Sequence, residues 1–115
     1  MANRPHRGEV YWVNFDPAVG AEPNKVRPAV IVQNDVGNLH GATTIVAAIT
    51  SQPPKKKYPF MVALPPDQLP KPSWVDCAQL RVVALERLSS TPVAICSTET
   101  MQEIDEALKN SLELS

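Results

Sequence analysis

Residues 24–32 read Asn24-Lys25-Val26-Arg27-Pro28-Ala29-Val30-Ile31-Val32, and residues 44–50 read Thr44-Ile45-Val46-Ala47-Ala48-Ile49-Thr50. Each segment holds a short apolar run rich in β-branched residues, a pattern that predicts a buried strand. Each run also has beside it one polar side chain that suits a phosphate group. Arg27 offers five donors in a rigid fork, and Thr50 adds a hydroxyl donor. The two segments therefore predict a β-rich domain with a phosphate-binding site built on two strands.

The rest of the chain continues this pattern. Apolar stretches alternate with loops marked by proline, which lacks the N–H that a sheet ladder needs. We expect strands near residues 9–15, 28–33, 43–50, 60–64, 73–79 and 81–84. A helix is predicted near the C-terminus, because Met101, Ile104, Leu108 and Leu112 form one apolar stripe and Ser97 can cap it. The pattern indicates a small, curved antiparallel barrel with a C-terminal helix, and a short helical turn at residues 85–88.

Length and composition favour one domain over residues 1–115. No apolar run approaches the roughly 20 residues that span a bilayer, and the N-terminus does not have the pattern of a signal peptide. We therefore expect a cytoplasmic protein without membrane contact. Cys77 and Cys96 are predicted to be buried thiols without a disulfide, and no spacing suggests a metal site or a cofactor.

Charge is distributed unevenly, although the net charge is only -1. Residues 1–60 carry seven basic and four acidic side chains, whereas residues 61–115 carry four basic and eight acidic ones. This asymmetry indicates a basic face built from the early loops.

Six segments in this order resemble the MazF/PemK family of toxin endoribonucleases. They are residues 7–15, residues 19–28, residues 33–38, residues 44–50, Gln79-Leu80-Arg81, and residues 105–112. The resemblance covers nearly the whole chain. It implies an SH3-like barrel, a homodimer, single-stranded RNA as substrate and a cognate MazE-like antitoxin whose disordered tail fills the RNA groove.

The same resemblance implies a reaction that needs no metal. A ribose 2′-hydroxyl attacks the adjacent phosphorus and leaves a 2′,3′-cyclic phosphate and a 5′-hydroxyl. Arg27 is expected to stabilise the extra negative charge, since a guanidinium is a poor base, and Thr50 is expected to donate to the phosphate.

The general base is where the sequence departs from the family pattern. Many members carry an acid immediately before the late-strand glutamine, but Ala78 precedes Gln79 here. Asp76 and Glu22 are the carboxylates that remain as candidates, although Glu22 could equally order the loop by pairing with Arg27. His6 and His40 are expected to be solvated loop histidines.

Other residues are candidates for RNA binding. Gln33, Asn34 and Gln79 carry amides that can read a base edge, and Tyr58 can stack on a base. Lys55, Lys56 and Lys57 form a basic loop suited to phosphates. Trp12 and Trp74 can also stack, but Trp12 in an apolar strand is expected in the core.

Two alternative interpretations stay open. An inactive SH3-like binding module is compatible with Ala78. A gyrase poison of the CcdB type shares the barrel, but such toxins act through a C-terminal Trp-Gly-Ile, whereas this chain ends Leu112-Glu113-Leu114-Ser115.

Overall fold

The computed structural model describes residues 4–15 and 26–115. The strands are β1 (Glu9–Asn14), β2 (Val26–Ile31), β3 (Thr43–Thr50), β4 (Met61–Ala63), β5 (Trp74–Ala84) and β6 (Ala94–Ile95). The helices are α1 (Asp35–His40) and α2 (Thr98–Leu112), and a 3-10 turn spans Leu85–Arg87. The predicted helical turn after β5 is thus confirmed. No helix within the described ranges is long and apolar enough to cross a membrane.

The six strands form one antiparallel sheet in the order β4-β5-β3-β2-β1-β6. The sheet curls into a half-barrel, and α2 packs beside β4 and β5. The predicted class, a mainly β chain with a small SH3-like antiparallel barrel and a C-terminal helix, is confirmed. The predicted cap is also confirmed, because the Ser97 hydroxyl accepts a hydrogen bond from the Thr100 backbone N–H.

Both faces of the sheet carry buried side chains, because successive residues of a strand point to opposite sides. One apolar cluster includes Val10, Val30, Ala47 and Val75 and extends to Ile104 of α2. The cluster on the other face comprises Tyr11, Val13, Ala29, Ile31, Val46 and Val83. The sheet is therefore held from both sides, which fixes the strand ends relative to one another.

Strand β5 contains an irregularity in its pairing with β3, and the sequence analysis predicted two strands in this region. Residues 73–79 and 81–84 were predicted as separate strands, but β5 is continuous from Trp74 to Ala84. Its pairing with β3 shifts abruptly, since Ala47 lies opposite Leu80 while the next residue, Ala48, lies opposite Asp76. Cys77, Ala78 and Gln79 therefore form a bulge between the two paired segments. The predicted break at residue 80 is therefore wrong: the irregularity lies at residues 77–79, and it interrupts the register and not the strand.

Helix α1 and strand β6 were not predicted. Helix α1 lies where the sequence suggested a loop, and it depends on Asn38, whose side chain is buried. The Asn38 amide oxygen accepts from the Thr44 hydroxyl at 2.6 Å and from the Gln33 amide at 3.0 Å. These side-chain bonds hold a helix that is too short to be stable alone.

The N-terminal segment is anchored by Arg7, which joins three elements. Its guanidinium donates to the Asp105 carboxylate of α2 at 2.7 Å and to the Val32 carbonyl at 2.8 Å. Its backbone N–H donates to Asp35 of α1 at 2.7 Å, a bond that lowers the pKa of the Asp35 carboxyl. Arg7 therefore ties α2 to the end of β2 and to α1.

Candidate active site

A cavity of about 630 Å³ lies at one end of the curled sheet. We call it the central cavity. It is lined by Phe15, Arg27, Ala48, Ile49, Thr50, Asp76, Gln79 and Arg81. The structure thus brings together four of the predicted site residues, Arg27, Thr50, Asp76 and Gln79, which come from three different strands.

Strand alternation explains how the side chains reach this cavity. Arg27 lies on the same face of β2 as Ala29, and Thr50 lies on the same face of β3 as Val46. Arg81 shares its face of β5 with Val83 by the same argument. Ala29, Val46 and Val83 all belong to one buried cluster. The central cavity is therefore the polar end of a face that is otherwise apolar, and the packed core holds its walls in place.

Hydrogen-bond accounting leaves donors free at the two central residues. The Thr50 hydroxyl oxygen accepts from the Gln52 backbone N–H at 3.1 Å, so its hydrogen points elsewhere. Within residues 4–15 and 26–115, the Thr50 hydroxyl has no acceptor for that hydrogen, and the Arg27 side chain has neither a hydrogen bond nor an ion pair. Arg27 is exposed and Thr50 is half-buried. Both side chains can donate to an anion in the cavity.

The bulge of β5 forms the opposite wall. Asp76 Oδ1 accepts from the Ala78 backbone N–H at 3.0 Å. The Cys77 side chain turns into the core and its N–H donates to the Phe60 carbonyl at 2.9 Å. Burial, with a smaller effect of the Asp76 charge, raises the pKa of the Cys77 thiol to about 12. Cys77 is therefore an inert core residue and not a nucleophile.

Burial likewise raises the pKa of the Cys96 thiol to about 11. The prediction of two free, buried cysteines is confirmed.

Arg81 adds a second cation to the central cavity. Its guanidinium lies 5.2 Å from the centroid of the Phe15 ring, a cation–π contact that orients both side chains. Phe15 is the last residue before the stretch 16–25, which lies outside the described residues. Arg81 and Phe15 were not among the predicted site residues, although alternation counted back from Val83 would have placed Arg81 on this face.

A second cavity of about 420 Å³ adjoins the first and shares Arg27, Ile49 and Thr50 with it. We call it the flanking cavity. Its other lining residues are Trp12, Pro28, Ser51, Gln52, Leu69, Pro70, Lys71 and Ser73. Arg27 and Thr50 therefore stand where two cavities meet, and we call the two cavities together the Arg27 groove.

The prediction that Trp12 lies in the core is wrong. The side chain is 40% exposed and lines the flanking cavity beside Leu69 and Pro70. Trp12 offers an aromatic surface on which a base can stack, and Lys71 offers a cation on the same side. Lys71 lies in a loop. Because loops have no regular spacing, the sequence did not indicate that Lys71 lies near the site.

Gln33 and Asn34 are not among the residues that line either cavity. The Gln33 amide donates to Asn38 at 3.0 Å and to the Thr43 carbonyl at 3.1 Å. The Asn34 side chain caps α1 by accepting from the Gly37 N–H at 2.8 Å. Both amides therefore have structural partners, and their predicted role in base reading gains no support from the geometry.

The basic loop also lies apart from Arg27. Lys57 and Tyr58 line a third cavity, of about 630 Å³, whose other side is formed by Glu99, Glu103 and Glu106 of α2. Tyr58 stacks on Phe60 with ring centroids 5.0 Å apart. Lys55 and Lys56 are exposed and line neither the central nor the flanking cavity. Among the described residues, Arg81 and Lys71 are the cations that line the central and flanking cavities beside Arg27.

One candidate cannot be placed, and the two histidines lie at the surface. Glu22 falls outside the described residues. His40 is the exposed last residue of α1, and His6 Nδ1 lies 3.8 Å from Asp35 Oδ2 at the surface. In the part of the chain that the structure describes, no three His, Cys, Asp or Glu side chains converge as a metal site would require.

Comparison with known proteins gives the site a family context. The family described as PemK-like, MazF-like toxin of type II toxin-antitoxin system matches residues 6–112. The Endoribonuclease EndoA of Bacillus subtilis (strain 168) is 38% identical over 110 residues, covering 94% of each chain.

Solved structures show the same fold. An endoribonuclease in complex with its cognate antitoxin, from a Mycobacterial species, superposes with a TM-score of 0.79 at 25% identity, covering 96% of this chain and 97% of that one. MazF from Deinococcus radiodurans superposes with a TM-score of 0.77 at 24% identity, covering 96% and 98% of the two chains. The family match spans nearly the whole sheet, α2 and both cavities. The chain therefore belongs to the PemK-like, MazF-like toxin family of type II toxin–antitoxin systems.

Proposed function

We propose that this chain is a single-domain toxin that cleaves single-stranded RNA at a short sequence, without a metal ion, and so arrests translation. One observation carries the proposal. Arg27 and Thr50 stand together at the junction of two cavities, with side-chain donors that have no acceptor among residues 4–15 and 26–115 and can bind a phosphate. The 38% identity to an endoribonuclease supports it.

The mechanism follows from what RNA itself supplies. The 2′-hydroxyl attacks the adjacent phosphorus, a P–O2′ bond forms, and the P–O5′ bond breaks. The 2′-hydroxyl loses its proton and the departing 5′-oxygen gains one, which gives a 2′,3′-cyclic phosphate and a 5′-hydroxyl. Arg27 stabilises the charge that builds on the non-bridging oxygens, and the Thr50 O–H donates to one of them. The nucleophile belongs to the substrate, so neither a cofactor nor a covalent enzyme intermediate is required.

Incubation of the purified chain with a long unstructured RNA in excess chelator tests this proposal. We expect full cleavage at a short recurring sequence, with 5′-hydroxyl and 2′,3′-cyclic phosphate ends. Cleavage that disappears in chelator and returns with Mg²⁺ would refute the metal-independent mechanism. A chain that binds RNA without cutting it would favour the second candidate, an inactive binding module, which Ala78 in place of the family acid keeps open.

Lys71 is expected to hold a phosphate in the flanking cavity. Lys71→Gln should weaken RNA binding and reduce the slope of log affinity against log salt by about one, while the cut sequence stays the same. Lys55→Gln is the matched control, since Lys55 is exposed and lines neither cavity of the groove. Binding titrations at several salt concentrations measure both. A larger effect of Lys55→Gln would restore the basic loop of Lys55, Lys56 and Lys57 as the main phosphate contact.

The partners are proposed on the same basis. The Mycobacterial structure holds an endoribonuclease with its cognate antitoxin, which supports a MazE-like antitoxin for this chain.

A homodimer is proposed from the family. Val36 and Leu39 of α1 support it, because they are 71% and 58% exposed and lie three residues apart, on one side of the helix. Light scattering of the purified chain measures its mass. A cytoplasmic location is proposed, since messenger RNA is there.

A further inference from the structure

We propose that Asp76 is a positioning residue that sets the sequence preference of the site by holding Gln79 in the central cavity through the backbone of Ala78. The inference rests on the proposed endoribonuclease function and concerns the same cavity.

The bulge creates the need for such a residue. Cys77, Ala78 and Gln79 have no partner in β3, so their backbone groups lack ladder hydrogen bonds on that side. The Cys77 N–H is satisfied by the Phe60 carbonyl of the neighbouring chain segment. The Ala78 N–H is satisfied by Asp76 Oδ1 at 3.0 Å, the geometry of a side chain that bonds the backbone two residues on. Each of these two bonds fixes one residue of the bulge.

Both ends of the bulge are fixed, one by the buried Cys77 side chain and the other by Leu80, which pairs with Ala47 of β3. Among the described residues, its middle is held by the hydrogen bond from the Ala78 N–H to Asp76. The Cys77 side chain is fully buried in the core cluster, whereas Ala78 and Gln79 are exposed. Ala78 has no side-chain group that can form a hydrogen bond. The course of the backbone between Cys77 and Leu80, and hence the direction of the Gln79 amide, therefore depends on the bond to Asp76. Gln79 and Asp76 both line the central cavity with Arg27 and Thr50.

The Gln79 amide can donate and accept in one plane, which suits the edge of a base. An amide discriminates between bases only when its orientation is fixed before the RNA arrives. Because Oδ1 of Asp76 already accepts the Ala78 N–H, the carboxylate acts on the structure of the wall. We assign it to base selection through Gln79 and not to proton transfer.

The test distinguishes the role of Asp76 as a hydrogen-bond acceptor from the role of its negative charge. Asp76→Asn keeps an acceptor oxygen in the same place and removes the negative charge, whereas Asp76→Ala removes both. Preference is measured by the binding of short 2′-O-methyl oligonucleotides that vary at one nucleotide at a time. These probes cannot be cut, so the result does not depend on catalysis, and failure of cleavage by the wild type would count against the proposed function alone.

We expect the wild type to prefer one base at the nucleotide facing Gln79, and Asp76→Asn to keep this preference. Asp76→Ala should lose it by about three- to tenfold, the effect of one hydrogen bond. Gln79→Ala should lose the same preference, and the double variant Asp76→Ala/Gln79→Ala should lose no more than Gln79→Ala alone, since both changes act through one amide.

Three results would overturn the inference. The first is an unchanged preference in Asp76→Ala, with only its unfolding temperature lowered, because that describes a purely structural residue. The second is additive losses in the double variant. The third is a cleavage rate that falls equally in Asp76→Asn and Asp76→Ala, with the acidic limb of the pH–rate profile lost in both variants. This result would make Asp76 the general base.

Discussion

Arg27→Ala is expected to lower the single-turnover rate of RNA cleavage by about 10³-fold, the upper end of what removal of one oxyanion donor costs. The effect should be this large because Arg27 supplies a full charge as well as directed donors. Arg27→Lys keeps the charge but loses the planar fork, so its rate should lie between those of the wild type and Arg27→Ala.

The folded state should not change in either Arg27 variant. The Arg27 side chain is exposed and has no hydrogen bond or ion pair within residues 4–15 and 26–115, so the unfolding temperature should match that of the wild type. Single-turnover assays beside thermal unfolding separate the two effects. An Arg27→Ala chain that folds normally and cuts at the wild-type rate would place the catalytic charge elsewhere, and Arg81 would be the next residue to change.

Thr50→Val is expected to lower the same rate by about 10²-fold, because it removes the hydroxyl and keeps the shape of the side chain. Thr50→Ser keeps the hydroxyl and should retain most of the activity. The loss of the acceptor for the Gln52 N–H should have little effect on stability, since Gln52 is exposed and water can replace the bond.

Thr43→Val is the matched control for Thr50→Val. Thr43 begins the strand that Thr50 ends, and it is exposed at the other end of the sheet from the groove. The Thr43→Val variant should cleave RNA at the wild-type rate. If Thr50→Ser were as slow as Thr50→Val, the hydroxyl would not be the group that matters.

The resemblance to the family predicted that Arg27 and Thr50 belong to one site, and the regular geometry of strands explains how they meet. A period of two decides which side chains share a face, and β2 pairs with β3 in a register that places Ala29 opposite Ala48. The C-terminal helix was equally readable, since its apolar stripe and its Ser97 cap both depend on local spacing. The position of Gln79 came from family resemblance and not from periodicity.

What the sequence could not predict depends on contacts between distant residues. Helix α1 is held by the buried Asn38 amide, which forms hydrogen bonds with Gln33 and Thr44. Because the sequence does not reveal these bonds, the Gln33 amide was interpreted as available for RNA. Lys71 and Lys57 lie in loops whose paths follow from packing, so proximity to Arg27 could not be inferred for either. The bulge in β5 changes which residues face the cavity, and no local pattern revealed its length.

In the proposed mechanism, Arg27 and Thr50 promote attack by the 2′-hydroxyl of the substrate. The most direct test uses a short RNA that contains the mapped cut sequence and a single 2′-deoxy nucleotide on the 5′ side of the scissile phosphate. The account predicts tight binding of this RNA, no cleavage at that phosphate, and unchanged cleavage of the all-ribose control. Cleavage of the deoxy-substituted phosphate at a rate close to that of the control would contradict the account, because the nucleophile would then come from water or from the protein.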